Sequence, residues 1–192
     1  MSPFHPTQEL CYFCFDSLRN YLDQSVEIRS PSFPNDSFSL FVTWTKRGSL
    51  RGCIGTFKAQ PLHDTLKQYS IISSQQDSRF PPIKSSELSD LEVCVSLLVQ
   101  YEDASGPFDW EIGKHGIIVQ FNVNSIKYHA TFLPEVAEDQ GWDKKTTLAH
   151  LVAKSGFYGK LDDILDHLTI VRYQSVKVKC SYQDYVESFE SC

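Results

Sequence analysis

Between residues 91 and 100 the chain keeps a period of two: Leu91, Val93, Val95, Leu97 and Val99 alternate with Glu92, Cys94, Ser96, Leu98 and Gln100. A strand, whose successive side chains face opposite ways, turns such a run into one apolar face. That strand needs partners, and the flanking sequence offers them. Phe38 to Thr45 is rich in aromatic and β-branched residues, Lys46-Arg47-Gly48-Ser49 makes a turn, and Leu50 to Phe57 returns as the second arm of a hairpin. Gly116 to Phe121 and Ser125 to Phe132 read as another hairpin, turning at Asn122-Val123-Asn124, and Ile170 to Lys179 as a late strand.

The remaining periodicity is helical. Leu10, Phe13, Cys14, Leu18, Tyr21 and Leu22 predict an amphipathic helix from about Thr7 to Leu22. Pro61 opens a second one, with Leu62, Leu66, Tyr69 and Ile72 on one face. A short helix is expected from Pro134 to about Gln140, and a longer one from about Lys144 to Ser155, capped by Asp143 and stopped by Gly156. Proline-bearing breakers lie at 30–36 and 77–82, and the tail with Tyr182, Tyr185 and Phe189 is expected to cover the sheet edge or contact a partner. Hairpins and helices in irregular order predict an α+β fold, a mostly antiparallel sheet with flanking helices. At 192 residues the chain fits one domain. The expected layout is a larger lobe of about 1–132 with the strand 170–180, a smaller helical lobe of about 133–168, and a cleft between them as the natural pocket.

Charge and composition exclude several roles. With 18 basic and 24 acidic residues the net charge is −6, so no broad basic field grips a nucleic-acid backbone; a nucleic-acid role is left only a local groove. The start, Met1-Ser2-Pro3-Phe4-His5-Pro6, has no basic segment and no apolar run, and no stretch approaches the roughly 20 apolar residues of a membrane span. An intracellular protein, cytoplasmic or nuclear and not secreted, is expected, with its six cysteines (Cys11, Cys14, Cys53, Cys94, Cys180, Cys192) reduced. Cys11 and Cys14 share a helix face without a second pair, so neither a metal nor another cofactor is expected. His5, His63, His129, His150 and His167 fit no motif and read as solvated or structural.

The segment Leu50-Arg51-Gly52-Cys53-Ile54-Gly55-Thr56-Phe57 is the most unusual. Period-two geometry puts Arg51, Cys53 and Phe57 on one face and Leu50, Ile54 and Thr56 on the other. Gly52 and Gly55 imply that another backbone, or a ligand, comes close. Arg51 lies within roughly 7 Å of the thiol along the strand, near enough to favour a thiolate if both are partly buried. Equally, Cys53 reads as a small core residue and Arg51 as a surface charge.

This string resembles the signature of the AMMECR family (Alport, midface hypoplasia and elliptocytosis chromosomal region). Further motifs follow in the family's order: Pro61-Leu62, Asp77-Ser78-Arg79-Phe80, Glu87-Leu88 with Leu91-Glu92-Val93, Gly113-Lys114-His115-Gly116, Leu133-Pro134-Glu135-Val136-Ala137, Gly141-Trp142-Asp143 and Lys154-Ser155-Gly156-Phe157. The agreement covers roughly Phe38 to Val171. The resemblance implies two α+β lobes with the signature beside a cleft, but no particular reaction. Members found beside Memo-type and radical S-adenosylmethionine proteins imply a shared modification pathway. Ser78 stands where the family usually has proline, and Glu135 where many members have glutamine, which would alter the charge preference of a ligand contact.

Two functional readings follow. In the first, an anionic small molecule or nucleotide-like ligand binds around Arg51 and Cys53, with Gly52, Gly55, Asp77, Arg79 and Glu135 as binding residues and His115 as the base for a Cys53 nucleophile. In the second, the chain is a non-catalytic protein–protein adaptor whose glycines serve packing. His115 also reads as a strand cap, and Asp77 with Arg79 as an internal ion pair. The sequence has no catalytic triad order, phosphate-cradling loop or H-E-x-x-H string, which leaves enzyme and binding module both open.

Overall fold

A computed structural model of the chain describes residues 6–189; His5 and Cys192 lie outside them. The elements are α1 (Glu9–Leu22), β1 (Ser37–Lys46), β2 (Ser49–Pro61), α2 (Leu62–Gln75), β3 (Leu91–Asp103), β4 (Gly116–Val123), β5 (Ile126–Phe132), α3 (Pro134–Gln140), α4 (Lys144–Lys154), β6 (Thr169–Ser181) and α5 (Tyr182–Glu187). The strands form an α+β protein's sheet in the order β2-β1-β3-β6-β4-β5, with antiparallel ladders β1/β2, β1/β3, β4/β5 and β4/β6. The chain divides into two compact units, one running to Leu98 and resuming at Val176, the other Val99–Ser175.

In the first unit, period two decides which side chains are buried. Leu40, Val42 and Trp44 of β1 and Val93, Val95 and Leu97 of β3 are fully buried, as are Leu10, Cys14, Phe15 and Leu18 of α1 and Leu62 and Leu66 of α2. Trp44 sits edge-on to Phe15 at 5.2 Å, and its indole N–H donates to the Ser70 carbonyl at 3.2 Å, so its one polar group is satisfied. The tail does more than skirt an edge. Ser181 and Asp184 form a capping box that starts α5, and this delivers Tyr185 to a fully buried position 5.1 Å from Phe15. Its hydroxyl donates to Asp16 at 2.7 Å, and the same buried carboxylate receives Arg29.

In the second unit, Ile117, Val119, Phe121 and Ala130 of the β4–β5 hairpin pack with Leu148, Leu151 and Val152 of α4, closed by Trp110, Leu161, Ile164 and Ile170. This shared core explains why the unit begins at Val99: the helical segment near 133–168 buries its apolar face on the hairpin rather than on itself. Asp143 caps α4 by accepting the Thr146 N–H at 2.7 Å. The hairpin turns at Asn124 and Ser125, both at positive φ, with Val123 opposite Ile126. The expected three-residue turn at Asn122-Val123-Asn124 is therefore corrected to a two-residue turn at Asn124-Ser125, which matches strand twist better.

Candidate functional site

The signature lies on β2, the edge strand of the first unit. Its ladder with β1 slips twice, between Phe38 and Leu40 and again inside the signature: there Trp44 pairs with Gly52 but Thr45 with Leu50, leaving Arg51 as the extra residue of a bulge. Strict alternation therefore fails here, and Leu50 shares the face of Thr45, Thr43 and Cys53. Arg51 turns instead to Glu87, giving it Nε at 3.1 Å and Nη2 at 3.0 Å, while Nη1 donates to the Pro81 carbonyl at 2.5 Å. Glu87 also accepts Lys46 Nζ at 2.9 Å and the Lys84 N–H at 3.0 Å. Arg51, with help from Lys46, holds the Glu87 carboxyl down at about 2 against the pull of burial. All three guanidinium nitrogens of Arg51 are engaged, and its side chain is only 12% exposed.

Cys53 is held through its main chain. Its N–H donates to Asp77 Oδ2 at 2.9 Å, and its carbonyl accepts from Arg79 Nη2 at 3.0 Å. Asp77 and Arg79 also bind each other in a fork, Nε to Oδ1 at 2.9 Å and Nη2 to Oδ2 at 2.6 Å. A carboxylate on the N–H and a guanidinium on the C=O replace what a further strand would supply, so the two side chains finish an open sheet edge. Arg79 holds the buried Asp77 carboxyl well below the usual carboxylate range. Arg79 itself stays 55% exposed over the Phe80 ring, and its Nη1 has no partner among the described residues. The Cys53 sulfur accepts the Thr43 hydroxyl at 3.1 Å.

Both glycines mark close approach by the protein itself. A Cβ on Gly52 would lie 2.0 Å from the Ser73 carbonyl oxygen of α2, and one on Gly55 would lie 2.2 Å from the Leu40 oxygen and 2.4 Å from the Phe41 ring. The neighbours that exclude a side chain are therefore backbone and an aromatic ring.

His115 and Glu135 belong to the second unit. His115 is buried, which lowers its pKa, and its Nδ1 accepts the Glu111 N–H at 2.9 Å while its backbone N–H donates to the Glu111 carbonyl at 3.0 Å. The proton then resides on Nε2, and the nitrogen that carries the lone pair is already engaged. Glu135 stands in the first turn of α3, and its charge helps burial raise the Tyr173 phenol. Tyr173 bonds Thr131 and the Phe132 carbonyl, each at 3.0 Å, and lies against Gly116, where a Cβ would come within 2.3 Å of its ring. Arg51, Gly52, Cys53, Gly55, Asp77 and Arg79 are thus gathered in one unit; the other two stand in the second.

The AMMECR1 family model matches residues 11–178, a span that includes the signature, the Asp77–Arg79 clasp and the His115 loop. The chain belongs to the AMMECR1 family. An uncharacterised protein of Schizosaccharomyces pombe is 38% identical over 190 residues, covering 95% of this chain and 97% of that one. An uncharacterised protein of Arabidopsis thaliana is 39% identical over 187 residues, covering 93% and 87%. The fold agrees with the crystal structure of an uncharacterised Pyrococcus horikoshii protein at a TM-score of 0.70 and 28% identity, covering 88% of this chain and 89% of that one. The family therefore spans eukaryotes and archaea.

Within this AMMECR1 fold the cysteines differ sharply in surroundings. Cys11 is pushed far up by its contact with Cys180 and by burial, Cys14 is pushed up to about 12 by burial, and Cys94 is raised by burial. Cys53 is half-buried, and among the described residues no three His, Cys, Asp or Glu side chains are grouped to hold a metal. Nor is any described helix long and apolar enough to cross a membrane. Iodoacetamide at neutral pH, followed by peptide mass mapping, should label Cys53 well before Cys94 and leave Cys11 and Cys14 unlabelled until denaturant is added. Equal labelling of Cys14 and Cys53 in the native protein would contradict this packing.

Proposed function

We propose that the first unit binds a small anion-bearing, nucleotide-like ligand over the Cys53 face of β2, with Arg79 as the anion contact and the thiol beside it. The observation that carries the reading is Arg79: its guanidinium is pinned by Asp77 and the Cys53 carbonyl, yet its side chain is half exposed and Nη1 has no partner among the described residues. A guanidinium fixed before the ligand arrives loses little further entropy on binding. Arg51 supports this site from behind by holding the Pro81 and Pro82 carbonyls, rather than touching the ligand. The reading is one of binding: His115, whose lone-pair nitrogen is taken by Glu111, has no assigned part. A link to a modification pathway rests on the family resemblance alone.

Calorimetric titration of adenosine monophosphate tests the reading. Saturable, salt-sensitive binding is expected, weakened about tenfold in Arg79→Lys, which keeps the charge but loses the fork. No binding, or equal binding by the variant, would count against it. A second reading, the adaptor, is favoured by the exposure of Leu50 (42%) and Phe57 (43%) at the two ends of the signature. For an adaptor, Leu50→Asp would abolish partner association and leave nucleotide binding untouched.

A further inference from the structure

The second unit has a pocket of about 420 Å³ lined by Gln120, Asn122, Lys127, His129, His167 and Thr169, together with Phe121 and Tyr128. The ladders fix how these residues are arranged. Thr169, Gln120 and His129 form one row across β6, β4 and β5, and Asn122 with Lys127 forms the row two residues further along. Alternation puts both rows on one face, opposite the one on which Val119, Phe121 and Ala130 enter the core. Thr169 and His129 are then two strand spacings apart, roughly 10 Å. His167, at the end of a short 3-10 turn, closes one side.

What distinguishes this surface is the number of polar groups it leaves unused. None of the side chains of Gln120, Asn122, Lys127, His129, His167 and Thr169 has a hydrogen-bond or ion-pair partner among the described residues. In the signature, by contrast, nearly every polar group is spent inside the protein. No carboxylate lines the pocket, although acidic residues outnumber basic ones 24 to 18 in the chain. One ammonium, two imidazoles, two carboxamides and a hydroxyl form a set rich in donors.

We infer that this pocket is a second ligand site, distinct from the Arg79 face, which takes a phosphate-type oxyanion carried by a small molecule. Lys127 supplies the fixed charge, His129 and His167 donate from opposite sides, and Gln120, Asn122 and Thr169 complete the hydrogen bonds. The volume suits a group larger than a bare ion, in the range of small-molecule sites.

The probes are inorganic phosphate and ribose 5-phosphate, titrated into the full chain while backbone amide shifts are followed by NMR. Saturable shifts at 120–122, 127–129 and 167–169 are expected. They should weaken at least tenfold in Lys127→Ala and in His167→Ala, which perturb the site from separate elements, and persist in Arg79→Lys. Shifts that stay linear to high phosphate, or that these two variants do not weaken, overturn the site. The same shifts produced equally by neutral ribose overturn the oxyanion class. Loss in Arg79→Lys alone would assign phosphate to the first unit instead.

Discussion

Gly52→Ala should destabilise the protein by about 3 kcal/mol, at the top of the range for overpacking. The added methyl group would sit 2.0 Å from the Ser73 carbonyl oxygen, about half a normal contact distance. A crowded side chain changes rotamer, but here the obstacle is main chain. α2 is tied in place nearby, since the Trp44 indole donates to the Ser70 carbonyl and the Ile83 N–H donates to the Ser74 carbonyl at 3.0 Å. Strand or helix must move, and Trp44 is the fully buried centre of the packing that would be disturbed. Urea denaturation should show a lower midpoint with an unchanged slope. Gly106→Ala is the control: a Cβ there meets nothing within 4 Å, so its midpoint should match wild type to within about 0.5 kcal/mol. Equal stability of the two variants would remove the close approach of α2 to the signature.

Asp77→Ala should cost about 2–4 kcal/mol at pH 7, because it strips the acceptor from the Cys53 N–H and the partner from Arg79. Most of the loss comes from the buried side, since Arg79 is half exposed and water softens its isolation. The effect has a defined pH dependence. Asp77 and Glu87 both have folded-state pKa values below their unfolded ones, Glu87 at about 2. Each therefore contributes its full stability above an unfolded pKa of about 4, and that contribution fades as pH falls through the folded value. Wild type should lose stability steadily from about pH 4.5 to pH 2, and the gap between wild type and Asp77→Ala should narrow over the same window. Urea midpoints at pH 7, 4 and 2.5 measure this, and a gap that stays constant with pH would place the carboxylate elsewhere.

The elements that follow a single period were legible from residues alone: β3 from its alternation, α1 from its apolar stripe, the β1–β2 hairpin from its turn residues, and the β4–β5 arms from their composition although their turn falls at Asn124 and Ser125. The bulge at Arg51 was not, since it depends on a clamp by Glu87 and the Pro81 carbonyl, more than 25 positions away and without a local signal. Gly52 and Gly55 announced a close neighbour, but whether backbone or ligand was decided only by where Ser73 and Phe41 came to rest. For Asp77 and Arg79 an internal pair was one of two readings. That the pair would also bind the main chain of Cys53 had no sequence trace, because peptide groups are alike at every position. The pocket around Lys127 and His129 escaped notice for a similar reason: its residues come from three strands and a turn, and no motif joins them.

Asp77 and Arg79 together complete the edge of β2 at Cys53. Hydrogen exchange at the Cys53 amide addresses it most directly. An unpaired edge N–H exchanges fast, whereas one bonded to a buried carboxylate is protected. A slow Cys53 amide is expected in wild type, with exchange at least tenfold faster in Asp77→Ala under conditions where the core amides of β1 stay protected. A fast Cys53 amide in wild type, or one that the substitution leaves unchanged, would contradict it.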